Sequence, residues 1–457
     1  MAIKALLERF YRTARELRAA NGANVTVTFA LATLPMVGFV GAAVDYSHAN
    51  SVKAAMQAAA DSTALMLSKT AATISDSALQ TQANSYFKAL FTRPEAMGLT
   101  VSAVFSSSGG NKVVVNASSN VQANFMGMLG ISQMKVAVDS QVAWGNTRMR
   151  VALVLDTTGS MAEDGKMTAL KSATKSLLDQ LKAAAVTAGD VYVSIVPFSK
   201  DVNVGKSNYQ ANWIDWADWD NNNGTCSKND WFVKDKDGCL SQNGNPKWTT
   251  DSHSTWNGCV TDRGNSNGPH SSNYDTNVVA PSTTITASLF PAEQFGNCSP
   301  KVMALNYDWQ GMKDLIDSFY PDGNTNQAIG LAHGWMSLVG GGPYPTPPVE
   351  DPKYQYKKVI ILLTDGLNTQ DRWYTNQNQI DGREKITCDN INAAKIELWT
   401  IQVNTGGDPT STLLKNCAGS SGKYPDADKF FLLTSASQIV ATFQQIGTKL
   451  SNLRIAQ

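Results

Sequence analysis

The sequence predicts an α/β fold: a doubly wound, mostly parallel sheet with an inserted loop-rich region, preceded by a transmembrane helix and a small α+β domain. Three observations carry that prediction. Residues 149–155 (MRVALVL) form a near-continuous apolar run, as expected of a strand buried on both faces. Further short apolar runs follow at 191–196, 358–363, 397–403 and 430–433, with helical patterns between them. Near the amino terminus, residues 24–44 hold no ionisable side chain.

Residues 1–23 are basic, with Lys4, Arg9, Arg12, Arg15 and Arg18 against Glu8 and Glu16. The apolar stretch at 24–44 is long enough to cross a hydrocarbon core of about 30 Å. Pro35 lies inside it, and in lipid a lone proline kinks a helix more often than it breaks one. The basic flank stays cytoplasmic, so the bulk of the chain crosses. A cleaved signal peptide with Gly41-Ala42-Ala43 at its end is the alternative, disfavoured by the length of the stretch. Residues 45–72 are rich in Ala and Leu without Gly or Pro, which predicts a helical stalk or a helix packed on the next domain. Residues 73–147 read as a small α+β spacer domain. Leu79, Ala83, Tyr86, Phe87 and Leu90 keep helical spacing until Pro94, and strands are expected at 100–106, 112–118 and 134–144. The first two strands join through Ser107-Ser108-Gly109-Gly110.

Residues 148–457 form the main domain. Its first strand ends in Asp156-Thr157-Thr158-Gly159-Ser160-Met161, before a helix with Leu170, Ala173, Leu177 and Leu181 on one side. Later helices are expected at 312–319, 326–338, 385–396 and 436–450. Ligands of such sheets sit beyond the carboxyl ends of the strands. Three loops there bring oxygen donors: Asp156, Thr158 and Ser160 on the first, Thr325 on the second, Asp365 on the third. Oxygen-only donors suit a hard divalent cation: Mg²⁺, or else Mn²⁺ or Ca²⁺. The neutral hydroxyls are expected to leave the ion's charge incompletely cancelled, so that an open position attracts an acidic side chain from a protein partner. The competing reading makes Asp156, Thr158 and Ser160 a turn that caps the following helix.

Between about 206 and 305 the composition shifts to Asn, Asp, Gly, Ser and Trp. Trp213, Trp216, Trp219, Trp231, Trp248 and Trp256 lie here, with Cys226, Cys239, Cys259 and Cys298. A disulfide-pinned insertion is expected, with three pairings open, and the remaining pair, Cys388 and Cys417, flanks the strand at 397–403 and is a candidate bridge. A zinc site is the rival, weakened by the lack of Cys-x-x-Cys spacing. The tryptophans form either the insertion's own small core or a carbohydrate- or protein-binding face. Three motifs fail on close reading. Gly159 to Lys166 is one residue too long for a phosphate loop, and Met167 replaces its hydroxyl. Gly264-Asn265-Ser266-Asn267-Gly268, near His270, lacks the preceding strand of a nucleophile elbow. Asp218, Asp220 and Asn222 start like a calcium loop, but Gly224 comes one place late and the closing Glu is missing.

Two resemblances bear on function. Gly22-Ala23-Asn24-Val25, Phe29-Ala30-Leu31, Gly41-Ala42-Ala43-Val44-Asp45-Tyr46-Ser47 and Gln57-Ala58-Ala59-Ala60-Asp61-Ser62-Thr63-Ala64-Leu65 resemble the amino-terminal segment of TadG-like proteins of the Flp (tight adherence) pilus-assembly system of bacteria. Pseudopilin relatives place a Glu soon after a processing Gly, where this chain has Val27 and Thr28, so prepilin-peptidase cleavage is not implied. The set Asp156, Thr158, Ser160, Thr325 and Asp365 resembles the metal-ion-dependent adhesion site of von Willebrand factor type A domains, with Thr158 in place of Ser. The resemblances imply a single-pass protein of the bacterial inner membrane, amino terminus cytoplasmic and bulk periplasmic. It would serve pilus assembly or adhesion by binding another pilus or envelope component through the metal.

Composition agrees with that class. Lys+Arg and Asp+Glu are 38 each, so the formal net charge is zero, which argues against nucleic acid as the main partner. Charged residues are 17% and hydrophobic ones 42%, which excludes wholesale disorder. A metal-dependent hydrolase is the alternative activity. Against it, the motif loops hold no general base or nucleophile, and His333, the nearest imidazole in sequence, reads as a packed histidine. A released surface adhesin is the third reading, disfavoured by the unbroken apolar stretch.

Overall fold

The computed structural model describes residues 23–107, 111–144, 147–185, 187–228, 233–264, 274–352, 354–420 and 422–455. The basic segment before Ala23, the turn at Ser108-Gly109-Gly110, Trp231, and residues 265–273 with His270 lie outside them. The chain divides after Trp144 into two compact units.

In the amino-terminal unit the expected span and stalk are one helix, α1 (Ala23–Leu67), with Pro35 inside it. It contains the single stretch, among the described residues, long and apolar enough to cross a membrane. Its two halves meet different surroundings. Phe29, Leu31, Met36, Phe39 and Val40 are exposed, whereas Val52, Met56, Ala60, Ala64 and Leu67 are buried at helical spacing. The second half therefore packs into the unit's core and is no free stalk. Helix α2 (Asp76–Leu90) starts where Ser75 caps the Ala78 amide and stops at Phe91, ahead of Pro94. Strands β1 (Ala96–Ser106), β2 (Asn111–Gln122) and β3 (Gln133–Trp144) form an antiparallel sheet in that order. Leu79, Ala83 and Phe87 from α2 join Val113, Val115, Val136 and Val138 from the sheet against α1. The Asp45 carboxylate accepts from the Asn124, Phe125 and Met126 amides at 3.0, 2.8 and 2.7 Å.

The second unit starts with β4 (Thr147–Asp156), a 3-10 stretch at Gly159–Gly165 kinked at Glu163 and Asp164, α3 (Lys166–Ala184) and β5 (Val191–Phe198). The insertion is loop-rich but ordered by short elements: β6 (Val202–Asn203), β7 (Ile214–Asp215), α4 (Ala217–Asn222), β8 (Gly224–Cys226), α5 (Lys236–Leu240), β9 (Trp248–Thr250), β10 (Cys259–Val260) and β11 (Phe290–Glu293). The chain then returns through β12 (Met303–Asn306), α6 (Trp309–Asp317), α7 (Gln327–Val339), β13 (Gln355–Thr364), α8 (Gln377–Ala393), β14 (Glu397–Val403), α9 (Thr412–Cys417), β15 (Phe430–Leu433) and α10 (Ser437–Ile455).

Six strands make the central sheet in the order β12-β5-β4-β13-β14-β15, all parallel except β12, which runs antiparallel to β5. Side chains alternate across a strand. Val151, Leu153 and Leu155 therefore pack with Leu170, Leu177, Ile316, Phe443 and Ile446 of α3, α6 and α10. Ala152 and Val154 pack with Ile329, Trp335, Ile391 and Leu414 of α7, α8 and α9. Burial on both faces explains the unbroken apolar run that marked β4 in the sequence.

Three expectations need correction. Helix α8 starts at Gln377, eight residues before the expected 385, because polar residues fill its first turns and Asn376 caps the Asn378 amide. The short elements β12 and α9 carry no distinctive pattern and were not expected. Trp213, Trp216, Trp219 and Trp256 do not form a separate core: they belong to the cluster that holds Val154 and Ile360. The reason is topological, since β10 of the insertion pairs with β6, which follows β5 directly. The insertion's cysteines pair as Cys226–Cys239 and Cys259–Cys298, and Cys388 pairs with Cys417. With all six sulfurs bonded, the zinc alternative has no thiolates to draw on.

Candidate metal centre

Parallel strands deliver their carboxyl ends to one edge of the sheet, and β4 and β13 are neighbours there. Asp156 is the last residue of β4, and Asp365 is the first after β13. Leu155 pairs with Leu363, so the two carboxylates leave adjacent strands at nearly the same level. Asp156 is wholly buried. Its Oδ1 accepts from the Thr158 amide at 2.8 Å and its Oδ2 from the Thr364 hydroxyl at 2.6 Å. Ser160 donates to Asp365 Oδ1 at 2.6 Å, and the Thr158 and Ser160 hydroxyl oxygens lie 3.2 Å apart. Four of the five expected donors thus share one short network.

Thr325 reaches the same edge through its backbone. The Gly159 amide donates to the Gly323 carbonyl at 3.0 Å, and the Asp322 amide to the Thr157 carbonyl at 2.8 Å, which joins the first two loops. The Thr325 amide donates to Thr369 Oγ1 at 2.8 Å, and the Thr369 amide returns to the Thr325 carbonyl at 2.9 Å, which joins the second loop to the third. Asn326, next along, caps α7 by accepting from the Ile329 amide and gives its amide to Asp262 Oδ2 at 2.9 Å. Asp262 also accepts from Arg383 of α8 at 3.3 Å, so the insertion holds the Thr325 loop by a hydrogen bond from Asn326 to a buried, ion-paired carboxylate.

Burial pushes the Asp156 carboxyl up to about 7, with the Asp365 charge adding to the rise and the Thr158 and Thr364 hydrogen bonds opposing it. A buried carboxylate beside another carboxylate is costly unless a cation joins them. Two carboxylates and neighbouring hydroxyls are all oxygen donors, the set that fits a hard divalent ion. Of the capping alternative, the turn is present, since Asp156 Oδ1 accepts from the Thr158 amide, but Thr158 at the start of the 3-10 stretch makes no side-chain capping bond.

The residue that sequence reasoning missed is Lys166. Its Nζ lies 2.6 Å from Asp365 Oδ2, and the side chain is buried. The signal was present as the lysine of the rejected phosphate loop. The failed calcium loop is also explained: Asp218 pairs with Arg372, and Asp220 lies 2.6 Å from His253 Nε2 within the short helix α4. His333 is buried, with Nδ1 3.0 Å from the Tyr344 hydroxyl and its ring edge-on to Phe290, and burial pushes it down to about 4.

Residues 23–68 match the family model of the Flp pilus-assembly TadE/G-like proteins. Over those residues this chain is similar to the TadE/G-like proteins. No curated protein matches the chain in sequence. Among solved structures it is similar to the pilus adhesin SpaC of Lactobacillus rhamnosus GG, at 14% identity and a TM-score of 0.36 over 80% of this chain and 36% of that one. It is also similar to the vWF domain of the type V pili tip protein Mfa5 of Porphyromonas gingivalis, at 9% identity and a TM-score of 0.36, covering 69% of this chain and 98% of that domain. A third is proximal thread matrix protein 1 of the mussel byssus, solved with a zinc-occupied MIDAS motif, at 13% identity and a TM-score of 0.31 over 67% and 46% of the two chains. This chain therefore spans about a third of the length of SpaC and under half of the byssus protein.

Proposed function

We propose that the second unit is a doubly wound von Willebrand type A-like domain that binds a protein partner through a divalent cation. The ion is Mg²⁺, or Mn²⁺ or Ca²⁺ in its place. Asp156, Thr158, Ser160, Thr325 and Asp365 hold it, directly or through water, and a carboxylate of the partner completes its shell. The observation that carries this reading is the 2.6 Å contact of Ser160 with Asp365, 205 residues away, beside a buried Asp156. The TadE/G-like segment supports a role in Flp pilus assembly or adhesion. In this reading the first part of α1 anchors the protein in the bacterial inner membrane, with residues 1–23 cytoplasmic and the rest periplasmic. Three disulfides suit that oxidising side. In this reading the role is binding, and His333, the imidazole nearest in sequence, packs against Tyr344 and Phe290.

The test is recovery of partners from detergent-solubilised membranes with the full chain, with and without chelator, beside Asp156→Ala. Recovery that falls in both the chelated and the substituted samples supports the reading. Equal recovery in all three removes it.

A further inference from the structure

Lys166 is placed where local forces alone would not put a cation. It is the first residue of α3, and no acidic residue lies in that first turn. A helix amino terminus carries partial positive charge, so an ammonium there is unfavourable without a counter-ion. The turn before it is built to deliver it: Asp164 and Gly165 both adopt positive φ, 52° and 73°, which turns the chain into the helix at Lys166. The side chain is 5% exposed, and its ammonium rests on Asp365 Oδ2 while Ser160 holds Oδ1 of the same carboxylate.

This arrangement changes the charge of the site. Asp156 and Asp365 carry two formal negative charges, enough to balance a divalent ion. Neutral hydroxyls therefore cannot by themselves leave the loaded centre positive, contrary to the expectation drawn from the sequence. A lysine fixed on Asp365 restores one positive charge.

We propose that Lys166 is a built-in countercharge of the metal centre. It limits how tightly the five donors hold a divalent ion, and it leaves the loaded centre cationic toward an incoming carboxylate. The inference rests on the metal-binding reading above and adds to it a residue outside the expected ligand set. Lys166 acts through Asp365, whose orientation Ser160 holds from the other oxygen: it sets the field of the site, without touching the partner.

The probe is Mn²⁺ alone, titrated into the full chain, with free ion counted by electron paramagnetic resonance. Lys166→Met removes a charge that lies 2.6 Å from a carboxylate oxygen of the proposed ligand set, so Mn²⁺ binds at least about tenfold more tightly even with water-like screening. Lys166→Arg keeps the charge and stays close to the parent affinity. The rise in unfolding temperature on adding Mn²⁺ is larger for Lys166→Met than for the parent, a second readout that also reports whether the variant is folded. Lys166→Gln gives the same comparison should the methionine variant fail to fold. Unchanged or weaker Mn²⁺ binding by a folded neutral variant overturns the inference. Asp156→Ala separates the two claims. If the parent binds Mn²⁺ and Asp156→Ala does not, the metal reading stands whatever Lys166→Met does. If the parent takes up none, the metal reading falls and this one with it.

Discussion

His333 and Glu384 show how burial of single residues writes a pH dependence into the second unit. Burial pushes His333 down to about 4 from its ordinary 6.5. Between those values the unfolded chain takes up a proton that the native state refuses. The stability His333 contributes is complete above about pH 6.5 and is lost as pH falls toward 4, on the order of 3 kcal/mol in all. Glu384, pushed up to about 8 by burial, has the opposite sign: the native state holds a proton that the unfolded chain releases, so stability rises as pH falls through that window. The raw profile mixes both, and the informative quantity is a difference between chains. His333→Gln keeps a hydrogen-bonding group for Tyr344 without the titration. Urea unfolding of the parent should lose stability relative to this variant between pH 7 and pH 4.5. Parallel profiles would show that His333 is not held neutral by the fold.

At the scale of elements, the position of α7 decides whether the Thr325 loop meets the others. The helix lies close against the sheet because two of its residues lack side chains. A Cβ at Gly334 would sit 2.3 Å from Val154 Cγ2, and one at Gly330 would sit 2.6 Å from the Phe198 ring. Both neighbours are wholly buried, so neither can swing away. Alanine is the better helix former by about 1 kcal/mol, but overpacking costs about 1–3 kcal/mol and a β-branched neighbour in a strand gives little. Gly334→Ala should therefore lower the urea midpoint and weaken Mn²⁺ uptake by displacing the loop at the amino end of α7. A stabilised Gly334→Ala would mean that the helix can lift without penalty.

For the molecule as a whole, stability of the second unit depends on covalent closure as well as on its two apolar clusters. Its insertion is built from strands of two to four residues, too short to hold register unaided. The bridges close segments of 13, 39 and 29 residues. Each is worth on the order of 2–4 kcal/mol through the unfolded chain it restricts. Cys388–Cys417 ties α8 to α9 behind β14, inside the cluster that carries α7. Replacing both cysteines by serine should lower stability in urea by that order, while reduction of all three bridges should also expose the insertion to protease. Indifference to reductant would show that the clusters alone carry the unit.

The parts legible in the amino-acid sequence were those whose physics is local or periodic. Continuous apolar runs announced β4, β13 and β14 because burial on both faces removes alternation. Helical spacing announced α2, α3 and α7, and the uncharged stretch announced the exposed apolar half of α1. The spacing of Asp156, Thr158 and Ser160, followed by Thr325 and Asp365, could be read as an oxygen-donor pattern because strand ends recur in order along the chain. What only the tertiary structure decided were contacts between segments with no shared local signal. Lys166 meets Asp365 across 199 residues, Asp262 reaches Asn326 across 64, and Trp213, Trp216, Trp219 and Trp256 of the insertion enter the core of the sheet. The pairing of the insertion's four cysteines belongs to the same class, whereas the Cys388–Cys417 bridge was the one pair the sequence left over. Such partners are chosen by how strands order themselves in space, and one-dimensional patterns carry no record of that choice.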